Sequence, residues 1–102
     1  MRRISGANGI ALGDVISLSD FPRDGLATIY GEGNAIVITP YSPGDEENPD
    51  YVVRQLAALT RIYLPRKIVR QTGLSGAVNV TKNEDGGVTI SPLSTIRPNI
   101  KE

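Results

Sequence analysis

The chain reads as a tandem duplication, the alternative being two unrelated strand-rich segments whose alternation coincides. Residues 9–40, GIALGDVISLSDFPRDGLATIYGEGNAIVITP, lie without a gap over residues 61–92, RIYLPRKIVRQTGLSGAVNVTKNEDGGVTISP. Six of the 32 pairs are identical: Ile10/Ile62, Leu12/Leu64, Ile16/Ile68, Glu32/Glu84, Ile38/Ile90 and Pro40/Pro92. Ordinary residue usage would supply roughly two. Leu26/Val78 and Ile36/Val88 are conservative, and the same offset carried leftward pairs Arg2 with Arg54 and Ile4 with Leu56. Most of the matches are apolar and fall at strand spacing. One such unit holds a few short strands and a turn of helix, too little to bury its own apolar face. Two copies about a pseudo-twofold can close a barrel, which removes exposed edges.

Each copy reads in the same order. In the second, a short strand ends near Leu64, and a helix spans 65–72, with Pro65 in its first turn and Gly73 as its C-terminal cap. Strands at 77–82 and 87–91 then flank the turn Asn83-Glu84-Asp85-Gly86. In the first, a strand ends near Leu12, a brief helix follows, and strands at 26–30 and 35–39 flank Gly31-Glu32-Gly33-Asn34, a hairpin turn and not a phosphate loop. Residues 51–56 read as a further strand, although Val52, Val53, Leu56 and Leu59 also fit a helix over 49–59. Between the copies YSPGDEENPD, residues 41–50, reads as an acidic linker or exposed loop, with solvated carboxylates at Asp45-Glu46-Glu47. The expected fold is mainly β with short helices. Its expected organisation is a degenerate repeat at 1–40, the linker at 41–50, a full repeat at 51–92 and a tail at 93–102.

Composition narrows the chemistry. With 102 residues the chain fits one domain. Cysteine and histidine are both absent, which removes disulfides, the usual zinc sites and histidine acid–base catalysis. No nucleophile–base pair stands out, so the reading is not an enzyme, with no cofactor and no metal. No segment reaches the length of a membrane span and no signal-peptide region is apparent, which makes a cytoplasmic protein the expectation. The four tyrosines, Tyr30, Tyr41, Tyr51 and Tyr63, are too scattered in sequence to suggest a base-stacking platform.

Net charge is zero but unevenly spread. Residues 1–40 carry three bases and four acids, residues 41–50 four acids and no base, and residues 51–102 eight bases and three acids. From 51 to 83 there is no acid at all. Within that run RIYLPRKIVRQTGL, residues 61–74, concentrates Arg61, Arg66, Lys67 and Arg70. Such asymmetry points either to a polyanionic partner or to a solvated basic face.

The run YVVRQLAALTRIYLPRKIVRQTGLSGAVNVTKNEDGGVTISP resembles the AbrB/SpoVT/MazE type of DNA-binding domain. That family has a strand with a basic residue, a short loop, a second strand ending in proline, a short basic helix ending in Gly-Leu, and a hairpin with a glycine-containing turn. The matching residues are Val53-Arg54, the loop at 57–60, the stretch from Arg61 to Pro65, the stretch from Arg66 to Gly73-Leu74, and the hairpin from Val78 to Pro92. The resemblance covers about 42 residues well, and the first copy only loosely. It favours the strand at 51–56 over the helix. It implies a swapped-hairpin β-barrel, normally completed by two chains and here built from two repeats.

The resemblance also implies binding to duplex DNA as a homodimer, through Arg54, Arg61 and Arg70, with Arg66 and Lys67 beside them and Arg2 and Arg3 as the first copy's remnant. Departures accompany it. Gly76-Ala77 replaces the family's Gly-Asp, and the first copy has Gly9, Gly13 and Leu18 where the second has Arg61, Pro65 and Arg70. Leu12-Gly13-Asp14-Val15 permits a second register, since it resembles the glycine–aspartate turn of related cradle-loop barrels. The rival function is a protein-interaction module on the same barrel, antitoxin-like or a viral or plasmid structural protein. Antitoxins of the family carry a long C-terminal tail, and only ten residues follow Pro92.

Overall fold

The computed structural model of the chain describes residues 2–6, 8–56, 61–74 and 76–92. The loop expected at 57–60 and the tail at 93–102 lie outside the described residues. Strands β1 (Arg2–Ile4) and β2 (Gly9–Ala11) are short. They are followed by the one-turn helix α1 (Pro22–Gly25) and the hairpin β3 (Leu26–Glu32) and β4 (Ala35–Pro40). The second half contains β5 (Val52–Gln55), β6 (Arg61–Tyr63), α2 (Arg66–Thr72), β7 (Gly76–Lys82) and β8 (Val88–Pro92). The fold is therefore mainly β with short helices, and the segment that also fits a helical spacing, 49–59, holds strand β5 and no helix over its described part.

The strands form a six-stranded antiparallel sheet, in the order β1-β7-β8-β4-β3-β5, and a separate ribbon of β2 with β6. The sheet curls into half a barrel. It is open, with β1 and β5 at its edges. Ile10, Leu12, Ile29, Ile36, Ile38, Ile62, Ile68, Val78, Val88 and Ile90 are sealed between sheet, ribbon and α2. On β6 and β8 the period-2 alternation of the sequence supplies one apolar face to bury, whereas the central strands β3 and β4 are buried on both faces over 27–29 and 36–38. Packing is close enough to require backbone against backbone. Gly87 lies so near the carbonyl of Ile38 that no side chain fits there.

The pairing registers obey a twofold rule. In the ribbon Ile10 faces Ile62, flanked by Gly9↔Tyr63 and Ala11↔Arg61. Exchanging each residue for its counterpart 52 positions away, as Ile10 for Ile62, turns this set into itself. The β4–β8 ladder does the same about Val37↔Thr89, with Ile36↔Ile90 exchanging for Ile38↔Val88. The edge ladders transform into one another: Arg2 faces Val78, and Arg54 faces Ala27. Here the gapless alignment needs a correction, since Val78 is the counterpart of Ala27, 51 positions away, and not of Leu26. Both side chains are fully buried, and the glycines two residues earlier, Gly25 and Gly76, both have positive φ. The lost residue returns in the hairpin turn, where four residues separate Gly31 from Ile36 but five separate Lys82 from Val88.

The halves also exchange strands. β1 of the first half pairs with β7 of the second, and β5 of the second pairs with β3 of the first. The symmetry fails in the helical segment. α2 has a counterpart only in turns at 13–15 and 18–20, because Gly13 replaces Pro65 and Pro22 holds Phe21 extended at φ −117°, ψ 140°. The brief helix expected between Leu12 and the strand at 26–30 is present, later and shorter than α2, as a 3-10 turn at Leu18–Asp20 and as α1.

Candidate nucleic-acid interface

Alternation along β6 decides what the ribbon shows. Ile62 is buried against Ile10, so Arg61 and Tyr63 face outward. Their cross-strand partners are the two smallest side chains available, Ala11 opposite Arg61 and Gly9 opposite Tyr63. The outer face of the ribbon thus carries all its reach on one strand.

Two residues beyond β6 the chain turns into α2. Pro65, at φ −61° and ψ 133°, is the N-cap and not the first helical residue, and its carbonyl accepts from the N–H groups of Ile68 and Val69 at 3.1 and 3.0 Å. Gly73 ends the helix in the left-handed region at φ 74°, its N–H bonded to Val69 O at 2.9 Å. Ile68 and Thr72, one turn apart, bury the inner face, where Thr72 packs over Gly31 at the tip of the other half's hairpin. Arg66, Lys67, Arg70 and Gln71 are exposed.

This placement is electrostatically unfavourable for the helix. Cations in a first turn oppose the macrodipole, at a cost of about 0.3–1 kcal/mol each when exposed. Arg66 and Arg70 are like charges one turn apart, which costs about 0.2–0.5 kcal/mol more. Among the described residues no acid forms an ion pair with Arg54, Arg61, Arg66 or Arg70. Lys67 makes one long bond, Nζ to Pro49 O at 3.4 Å.

The structure groups the site residues named from sequence into three sets. Arg61, Arg66, Lys67 and Arg70 follow one another along the continuous β6–α2 segment. Arg54 is exposed on β5, one edge of the sheet, whereas Arg2 and Arg3 lie on β1, the opposite edge. The side chain of Arg2 is outside what is described; that of Arg3 is exposed.

Carboxylates gather elsewhere. The segment 41–50 is folded back on β3: Asp45 Oδ2 accepts from Thr28 Oγ1 at 2.7 Å and from Ser42 N at 3.0 Å, and the Tyr41 hydroxyl donates to Glu46. Tyr30 and Tyr51, distant in sequence, stack at 4.8 Å between centroids. They line a cleft of about 440 Å³ with Asp20, Asp45 and Asp85. Burial, with Glu32, Tyr51 and Asp85 nearby, raises the Tyr30 phenol above its usual pKa of 10.0. No group of three side chains able to hold a metal occurs among the described residues, and no helix there is long and apolar enough to cross a membrane. Tyr63, discounted for its scatter from the other tyrosines, is among the described residues the large apolar side chain left most open, at 50% exposure. The signal was present as its odd position next to buried Ile62.

Comparison of the chain with protein-family models, with curated proteins and with solved structures found no match.

Proposed function

We propose that the chain is a small DNA-binding regulator of the AbrB type, a swapped-hairpin half-barrel made of two repeats whose second copy holds duplex DNA. One observation supports this most. The apolar frame Ile-x-Leu…Ile recurs in both copies and is buried in both, whereas Arg61, Arg66, Lys67 and Arg70 do not recur and sit exposed with no acidic partner among the described residues. They add nothing to the core, and two of them oppose the helix they sit on. Guanidinium forks suit phosphate oxygens. Arg54 and Arg3 extend the basic surface to the sheet edges, and a homodimer would restore a symmetric pair of contact faces.

With about five phosphate contacts from Arg54, Arg61, Arg66, Lys67 and Arg70, log Kd should depend on log salt with a slope near 4–5 in magnitude. A mobility shift with random duplex DNA at low salt is the direct test. Binding is expected, and replacing Arg54 and Arg61 together by Ala should weaken it about a hundredfold at low salt. No shift at low salt, or a shift indifferent to both substitutions, would sink the proposal. The rival, a protein-interaction module, draws support from the open edges of β1 and β5, which could accept a strand from a partner. It predicts no salt-dependent DNA binding.

A further inference from the structure

Gly9 is a meeting point. A Cβ added there would lie 2.9 Å from Tyr63 Cε1, 3.1 Å from Cδ1 and 3.3 Å from Ser5 Oγ. The Tyr63 ring therefore rests against the Gly9 backbone, held in place while half its surface stays open. Ser5 is fixed on the other side, its Oγ accepting from Gly9 N at 3.0 Å. Ser5 also lines a cleft of about 390 Å³, shared with Arg3, Asn8, Val69 and Leu74. One cation, a hydroxyl and an amide stand over an apolar floor there, and no acid lines the cleft among the described residues.

We infer that Tyr63 and this cleft form a second contact point for the DNA backbone, the ring taking a sugar or base edge and Arg3, Ser5 and Asn8 taking a phosphate. The inference rests on the DNA reading above and extends it across the ribbon. The ring is two residues from Arg61 along β6, and Gly9, on which it rests, bonds Ser5, which lines the Arg3 cleft. A guanidinium with neighbouring neutral donors matches phosphate chemistry, and an amphipathic ring matches the apolar part of a nucleotide.

Salt dependence separates the two contacts. Fluorescence anisotropy with a labelled random-sequence duplex, run over a salt series, should show Tyr63→Ala weakening binding about tenfold at every salt concentration with the slope unchanged, because a neutral ring releases no counterions. Tyr63→Phe should bind like the parent chain. Tyr63→Thr keeps strand propensity without the ring and should match Tyr63→Ala, which guards against misfolding of the latter. Arg3→Ala should reduce the slope by about 0.9. If the parent binds and responds to Arg61→Ala, yet Tyr63→Ala and Tyr63→Thr bind normally, the inference fails and the DNA reading stands. An unchanged slope for Arg3→Ala likewise removes the cleft. If the parent binds no duplex at low salt, the DNA reading fails and takes this inference with it.

Discussion

Thr28 has no water to bond to. Its side chain is fully buried and its hydroxyl has found Asp45, 17 residues away, at 2.7 Å. Removing the acceptor leaves a buried donor unmet, which costs about 1–3 kcal/mol. Asp45→Ala should therefore lower unfolding stability in urea by that amount, although Asp45 lies in what reads from sequence as solvated linker. Adding Thr28→Val to Asp45→Ala should recover part of the loss, since no hydroxyl is then stranded. A loss below about 0.5 kcal/mol for Asp45→Ala would show that the bond contributes little. Single residues here are legible only in kind. The sequence shows an acid in an exposed-looking stretch; the pairing with Thr28 needs the backbone of β3 brought alongside.

At the scale of the element, α2 presents opposed demands. Its inner face, Ile68 and Thr72, follows helical spacing and serves the core. Its first turn holds Arg66 and Lys67, the wrong sign for a helix N-terminus. Arg66→Glu should thus move two measurements in opposite directions. Stability should rise by about 0.3–1 kcal/mol, from the dipole and from a new Glu–Arg pair with Arg70 one turn on. Affinity for duplex DNA should fall at the same time, with a shallower salt slope. A gain in stability with undiminished binding would mean that Arg66 touches no phosphate. The helix boundaries were close to readable from Pro65 and Gly73, with the start displaced by one residue because Pro65 caps the helix from outside it. The brief helix expected in the first copy is there, but only as a 3-10 turn at Leu18–Asp20 and the single turn of α1, since Gly13 and Pro22 break the local pattern that the shared Ile-x-Leu…Ile frame suggests.

For the whole molecule the decisive feature is the exchange of strands. Since β1 needs β7 and β5 needs β3, neither half holds a complete set of partners for its own edges. Residues 1–50 and 51–102 produced as separate chains should each lack the strand signal in circular dichroism and regain it on mixing. The intact chain should unfold in one cooperative transition despite its two copies, with coincident curves from tyrosine fluorescence and circular dichroism. A folded isolated half would contradict the pairing described. The open edges at β1 and β5 are also where the chain differs from the closed barrel that repetition alone suggests.

The apolar alternation, the tight turns and the recurrence of Ile-x-Leu…Ile determined by themselves that this chain is β-rich and that the cations of 61–70 lie outside the recurring apolar frame. These are local properties, because periodicity and charge are written residue by residue. Only the tertiary structure decided that the ladders obey a twofold rule with a one-residue shift, that Asp45 folds back on β3 and Tyr51 stacks on its Tyr30, and that Tyr63 rests on Gly9. Each of these depends on which strand lies beside which, and pairing is set by the sum of burial over the whole core, a quantity no short window of sequence contains.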